Sequence, residues 1–391
     1  MEVATERMKV AYVTTYDAQT LGPDTWRTGY YIAKALVAHN CTIEYIGPLE
    51  QKYVAYTKMK SFFYRFFRNQ RYLYDREPRV LKDYAEQAAR KIPADVDIVL
   101  SPGTVPIAFL DCNKPIVFWT DATFAGMVDF FPEFSNLCKE TIRHGNMIEH
   151  TALHRCRLAV YSSDWAAQTA RDYYEVDKAK VSVIPFGANI DCECSADEVD
   201  RVIDERPTDI CKLIWVGTDW LRKGGDIAIA VAKELNDSGL RTELTIVGCK
   251  PVTQTPLPSY VKAIGYINTT TSPGLTRMST LYRASHFLIL PTRADCEPNV
   301  LREANAFGVP SIATDIGGLR TVIQDGVNGF LVPANASPQD YCDYISYQYC
   351  TYDEYKQLAL SSFNRYQSLH NWRVAGACLK NALSEIMEEY T

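Results

Sequence analysis

The chain reads as an α/β protein built from two domains, each around a parallel sheet. Three observations predict this. Strand-like and helix-like segments alternate from residue 8 onward, the pattern of strands joined by crossover helices. The alternation starts afresh in the second half. The length of 391 residues exceeds one usual domain, so two of near-equal size are expected.

Taken in order, residues 8–14 form an apolar run rich in β-formers, and 30–37 carry helical spacing. Strands are expected at 41–46, 96–100, 115–119 and 158–162. In the second half they are expected at 212–216, 243–247, 287–290 and 310–314, with a helix from Asp226. Glycine and proline mark each switch. The seam falls at 185–188, Pro-Phe-Gly-Ala, and residues 372–389 close the chain as a helix. Ligands of such sheets bind beyond the carboxyl ends of the strands.

The totals exclude several classes. A net charge of −6 argues against a nucleic-acid binder, whose surface would be basic. The twelve cysteines are scattered without metal-ligand spacing. They point to free thiols in a reducing cytosol. No apolar run reaches the ~18 residues a bilayer span needs. Residues 1–7 lack a signal-peptide pattern. The expected address is the cytoplasm, with the inner membrane face as an alternative.

That alternative comes from residues 52–82, which hold nine Lys or Arg, two acidic residues and nine aromatics. Such a helix can lie on an anionic membrane or grip an acceptor. It can also be a surface helix whose aromatics pack on the first domain.

The most informative stretch is 291–310. It reads as a strand end, a loop and a helix opened by Pro298, where a missing N–H costs nothing. Gly308 and Pro310 close that helix. Asp295 and Glu303 stand eight apart across the loop and helix start. A helix N-terminus attracts an anion, and a carboxylate can accept from sugar hydroxyls. Together they suit a phosphate joined to a polyol. Asp295 and Glu303 are therefore candidate donor-binding residues, together with Cys296, Asn299, Val300 and Leu301. Asn299 and Val300 would offer backbone N–H groups. Glu297 would either cap the helix or touch sugar.

Arg222 and Lys223 follow a strand and a short loop. Cations at a helix start oppose the dipole, so a diphosphate explains them better than a solvated surface does. Fixed cations there would stabilise charge developing on a leaving group. Asp121 ends a strand of the first domain and is a catalytic candidate beside the reacting carbon or the acceptor hydroxyl. Gly29 would let backbone approach donor or acceptor. His144, His150 and His154 share a helix face but lack a completing ligand set, so no metal is expected. His154 and Glu149 would line or support the site. Asp95-Val96-Asp97 imitates a metal-binding motif but sits at a strand start and reads as structural.

The second half resembles the family 4 retaining glycosyltransferases of the glycogen synthase-like superfamily. The resemblance rests on Glu303-Ala304-Asn305-Ala306-Phe307-Gly308-Val309-Pro310, matching a Glu-Ala-x-Ala-x-Gly-x-Pro pattern. It extends through Asp315-Ile316-Gly317-Gly318, through 325–333, and upstream through 183–191, Trp215-Val216-Gly217 and Arg222-Lys223-Gly224-Gly225. The chain departs from the pattern at Asp295, usually Glu, at Pro298, usually Gly, and at Gly217-Thr218, commonly Gly-Arg.

The resemblance implies the GT-B fold: two facing Rossmann-like domains with an interdomain cleft. Domain one would be 1–187 completed by a C-terminal helix, 370–391, and domain two 188–369. It implies metal-free, retaining transfer of a hexose-type sugar from a nucleoside-diphosphate sugar, UDP over GDP. The sugar would pass to a glycan, lipid-linked or small-molecule hydroxyl, with no cofactor beyond the donor. Glu303 would hold the nucleotide ribose. The alternatives are a non-catalytic sugar-nucleotide-binding protein and a sugar-nucleotide epimerase of the same fold.

Overall fold

The computed structural model describes residues 7–22, 25–190 and 194–390. The chain divides into two compact units, Met1–Phe186 with Trp372–Thr391, and Gly187–Asn371.

The first unit holds six parallel strands, β1 (Lys9–Val13), β2 (Thr42–Ile46), β3 (Ile98–Ser101), β4 (Ile116–Thr120), β5 (Leu158–Tyr161) and β6 (Val181–Val183). They lie in the order β2-β1-β3-β4-β5-β6. The second unit holds β7 (Cys211–Val216), β8 (Thr242–Val247), β9 (Val261–Gly265), β10 (Phe287–Leu290), β11 (Ser311–Thr314) and β12 (Gly329–Val332). Their order is β12-β11-β10-β7-β8-β9. Each order reverses direction once, between β1 and β3 and between β7 and β10. A doubly wound sheet opens a crevice at that point, because the flanking helices depart to opposite faces.

Both faces of the central strands are covered, so they read as unbroken apolar runs. Phe287-Leu288-Ile289-Leu290 is buried throughout. In the first unit Ala11 and Val13 face one core while Val10 and Tyr12 face the other. The closing helix Trp372–Tyr390 lays Ala375, Leu379, Leu383 and Ile386 into the second of these. Gly376 permits the approach to helix Arg27–Ala38, since a Cβ there would stand 3.0 Å from that of Ala35. Phe186 lies 5.1 Å from Trp119 and 5.9 Å from Trp372, ring to ring. The two chain segments of this unit therefore meet on one aromatic cluster.

Three observed strands lie outside the sequence-based expectations: β6, β9 and β12. All three are sheet edges. Val261–Gly265 is half solvated and has lost the apolar run, with one buried residue in five, whereas Gly329–Val332 keeps three of four buried but is short and opens on glycine. The helix expected to open at Pro298 and run to Gly308 is shorter, Asn299–Asn305, with Pro298 at the cap. Cys41, Cys138, Cys156, Cys211 and Cys342 are buried free thiols.

The aromatic segment 52–82 departs from one expectation. Its helix Val54–Arg68 buries only Thr57, and its phenylalanines face solvent. They are not part of the first unit's core.

Candidate functional site

In the second unit the loops after β7 and β10 meet at the point of reversal. Lys223 and Arg222 come from the first loop and Asp295 from the second. The Lys223 ammonium is bound to the Asp295 carboxylate. Arg222 Nη1 lies 3.7 Å from the same oxygen and donates to the Ala294 carbonyl at 2.8 Å. Arg222 Nε is 3.4 Å from Asp219. The three side chains are only 18%, 12% and 11% exposed for Arg222, Lys223 and Asp295. One carboxylate thus holds two cations in a largely desolvated place.

The backbone makes this arrangement stiff. The Arg222 carbonyl accepts from the Arg293 N–H at 2.7 Å and the Thr292 hydroxyl at 3.1 Å. Trp215 Nε1 donates to the Lys223 carbonyl at 3.0 Å. Gly224 turns the chain at φ +69, and a Cβ there would meet the Pro291 carbonyl at 1.9 Å. Glycine is required on both counts. Arg293 then grips Asp226 with two bonds, at 2.9 and 2.7 Å, across the outside of the same junction.

Downstream of Asp295 the candidates separate. Glu303 is half-buried, and its carboxylate accepts from the Tyr282 hydroxyl at 3.2 Å. Asn299 and Val300 are half-buried in the first turn of their helix. The Cys296 carbonyl accepts from the Gly318 N–H at 2.8 Å, tying this loop to the one after β11.

Two candidates are corrected. Glu297 neither caps the helix nor faces a sugar. Its carboxylate is fully enclosed in an ion pair with Arg302, also fully enclosed. A buried pair leaves no room for a ligand without stranding the partner charge. Leu301 turns its side chain wholly into the core, and its N–H donates to the Pro298 carbonyl at 3.2 Å.

The first unit presents a different edge. Beyond β1, β3 and β4 lies a cavity of about 170 Å³, lined among others by Thr14, Tyr16, Thr104, Thr120 and Glu149. Glu149 is 3% exposed. Its Oε2 accepts from the Thr104 hydroxyl at 2.8 Å, while Oε1 makes no hydrogen bond. Burial pushes the carboxyl up to about 7, against the smaller pull of Thr104, the Arg76 charge and the Phe124 backbone. The Tyr16 hydroxyl is also buried without a hydrogen bond. Burial raises this phenol too.

Asp121 sits half-exposed just past β4, between the cavity-lining Thr120 and Ala122. Gly29 is corrected. The space above it is filled by its own unit, since a Cβ would meet the Tyr16 hydroxyl at 1.8 Å. Its carbonyl accepts from the Tyr12 hydroxyl at 2.7 Å. His154 is corrected too. It lies with Pro115, Ile116 and Arg157 at the amino-terminal edge of β4, away from the cavity, and bonds the His150 carbonyl at 2.9 Å. His144 has two carboxylate neighbours within 4.8 Å, Glu140 one helical turn before it and Glu77, which only the fold brings there. Those carboxylates are both bound to the Lys60 ammonium. Asp95 pairs with Lys9, and Asp97 accepts from the Lys9 N–H at 2.7 Å, so this motif staples β1 to the start of β3.

A pair of doubly wound sheets is the architecture of the GT-B glycosyltransferases, and solved structures of that class share this fold. Sucrose-phosphate synthase from Thermosynechococcus elongatus matches at TM-score 0.69 and 16% identity, over 98% of this chain and 100% of that one. Anabaena HepE, solved with UDP and glucose, matches at TM-score 0.62 and 14% identity, over 97% and 100%. Residues 211–349, within the second unit, match the family described as glycosyl transferases group 1. A D-inositol 3-phosphate glycosyltransferase of Actinosynnema mirum is 27% identical over 200 residues, 48% of this chain and 48% of the relative. One from Acidothermus cellulolyticus is 29% identical over 173 residues, 41% and 39%. The match thus spans about half the length of these curated relatives or less. Among the described residues no helix is long and apolar enough to cross a membrane.

Proposed function

We propose that the protein transfers a hexose-type sugar from a nucleoside-diphosphate sugar to an acceptor hydroxyl, with retention at the anomeric carbon. The observation that carries this is the Arg222–Lys223–Asp295 cluster at the strand reversal of the second unit. A diphosphate entering there exchanges one carboxylate for a richer set of oxygens on the same two cations. Arg offers a planar fork and Lys a point charge, which suits a diphosphate. Charge grows on that diphosphate as the bond from the anomeric carbon to its oxygen breaks, so the cations act most strongly in the transition state. The acceptor oxygen forms its new bond on the same face. Its proton passes to the departing phosphate oxygen. Two fixed cations supply the charge a metal would otherwise bring. The half-exposed Glu303 carboxylate, steadied by Tyr282, suits the ribose hydroxyls.

The donor is taken as UDP-linked, in keeping with the HepE neighbour solved with UDP and glucose. The acceptor is a glycan, lipid-linked or small-molecule hydroxyl, and Asp121 is placed near it. The test is a panel of nucleotide sugars in a thermal-shift assay, where a ligand stabilises by mass action. Hydrolysis and transfer of the stabilising donor follow, with NMR of the product anomer. A panel in which no nucleoside diphosphate raises the melting temperature overturns the reading. An inverted product anomer overturns its stereochemistry.

A further inference from the structure

The helix Val54–Arg68 is inside out. The face it turns to its own unit is polar. Thr57 is buried there. Lys60 binds Glu77 and Glu140. Tyr64 donates to Glu140 at 2.8 Å and stacks on Tyr72 with centroids 5.8 Å apart. Positions 57, 60 and 64 follow helical spacing, so one stripe carries all of these bonds. The opposite stripe is apolar and bare. Met59, Phe62, Phe63, Phe66 and Phe67 are 63%, 59%, 46%, 74% and 69% exposed. They form a continuous strip, with Phe62 on Phe66 at 5.0 Å and Phe63 on Phe67 at 5.5 Å. A surface helix normally buries its apolar stripe. A contiguous bare one marks an interaction surface.

The charge around the strip says what covers it. The helix contains no acidic residue. Lys58, Arg65 and Arg68 are exposed, and none is in an ion pair among the described residues. Lys58 and Arg65, seven apart, run along one edge of the strip. Beside it, Arg65 and Arg71 line an open hollow of about 450 Å³ with Asn69, Gln70 and Asn136. The chain as a whole is acidic at −6, so this cationic rim is local. Phenylalanines flanked by unpaired bases match a surface that is apolar below and anionic above.

We propose that this helix docks on an anionic lipid bilayer, its phenylalanines entering the acyl boundary while Lys58, Arg65 and Arg68 meet lipid phosphates. Glu77 and Glu140 then have a clear role. By holding Lys60 inward they fix the rotation of the helix and keep the aromatic strip facing out. This inference is independent of the transferase reading.

The test is co-sedimentation of the full chain, without donor, with vesicles of phosphatidylcholine alone or mixed with phosphatidylglycerol. Binding to the mixed vesicles is expected to be at least tenfold tighter, and to weaken in about 1 M salt, where the screening length is near 3 Å. Phe66→Ser with Phe67→Ser is expected to cut binding at least tenfold with unchanged thermal unfolding, since both rings are solvated. Arg65→Gln with Arg68→Gln is expected to erase the preference for the anionic lipid. Wild-type protein that binds neither vesicle overturns the proposal. So does a phenylalanine variant that binds as wild type. Sedimentation showing a dimer that the phenylalanine variant dissolves, with no vesicle binding, assigns the strip to a second copy instead.

Discussion

Each unit places its sheet reversal beside its own first strand, β1 or β7, and the two reversals are furnished in opposite ways. At β7/β10 the edge is ionic: two cations share one carboxylate, and the backbones of both loops are tied together. At β1/β3 the edge is a hollow with a buried carboxyl, pushed up to about 7, and a buried phenol. The fold therefore fixes where a ligand goes, and the loop residues decide which one. Fixed cations suit a diphosphate. A buried carboxyl with an unused oxygen suits a hydroxyl donor and rejects an anion. On that contrast the proposed reaction would set its charged donor against the second unit and its neutral acceptor against the first.

The contrast can be broken most sharply at Lys223. Lys223→Ala is expected to lower turnover roughly 100- to 1000-fold, the scale of a lost transition-state contact, with folding intact. Steady-state kinetics on the folded variant checks this, and near-wild-type turnover would remove the ionic edge from the chemistry.

Glu149 tests the other edge through pH. Below about 4.5, its ordinary value, the carboxyl is protonated in both states. As pH rises toward 7, the unfolded chain releases the proton while the folded one keeps it. Stability therefore falls across that window and levels off above it. Glu149→Gln is expected to remove this slope and to gain about 3 kcal/mol on wild type at pH 8 relative to pH 4. Denaturant titrations at the two pH values measure it, and parallel curves would mean the carboxyl is not held neutral.

A smaller effect sharpens the donor side. Glu303→Gln is expected to weaken nucleoside-diphosphate binding by about 1.5 kcal/mol, the value of a hydrogen bond to a charged group. Calorimetry with UDP reads it directly, and unchanged affinity takes Glu303 off the ribose. The smallest expected effect is none at all. If two cations replace a metal, added EDTA leaves turnover unaltered, and a loss restored by a divalent ion rejects that assignment.

The sequence made the central strands legible because burial on both faces writes unbroken apolar runs. Three edge strands were missed: β6 and β9 carry no such run, and β12 is only four residues long, opened by a glycine. Asp295, Arg222 and Lys223 could be read as loop residues because they follow strand ends, and Glu303 as part of the helix that comes next. Glu297 was not. Its partner Arg302 lies five residues on, across Pro298 and a turn of helix, and only the fold shows that the two close on each other. Glu149 was noticed but not its state, because its neutrality comes from burial among segments distant in sequence, against the opposing pull of Thr104, 45 positions away. The orientation of helix Val54–Arg68 was equally hidden. Its composition is amphipathic either way round, and only the Glu77 and Glu140 anchors decide which stripe faces out.

Asp295 has one further consequence. The two cations of the second unit share Asp295 as a counter-ion, so in the proposed reaction donor binding would be an exchange rather than an addition. The same carboxylate would then reclaim them when the reaction ends. In a transferase that leaves a multiply charged diphosphate behind, the hazard is a product that clings. A tethered competitor at high effective concentration relieves it, trading some ground-state affinity for faster clearance of the spent nucleotide.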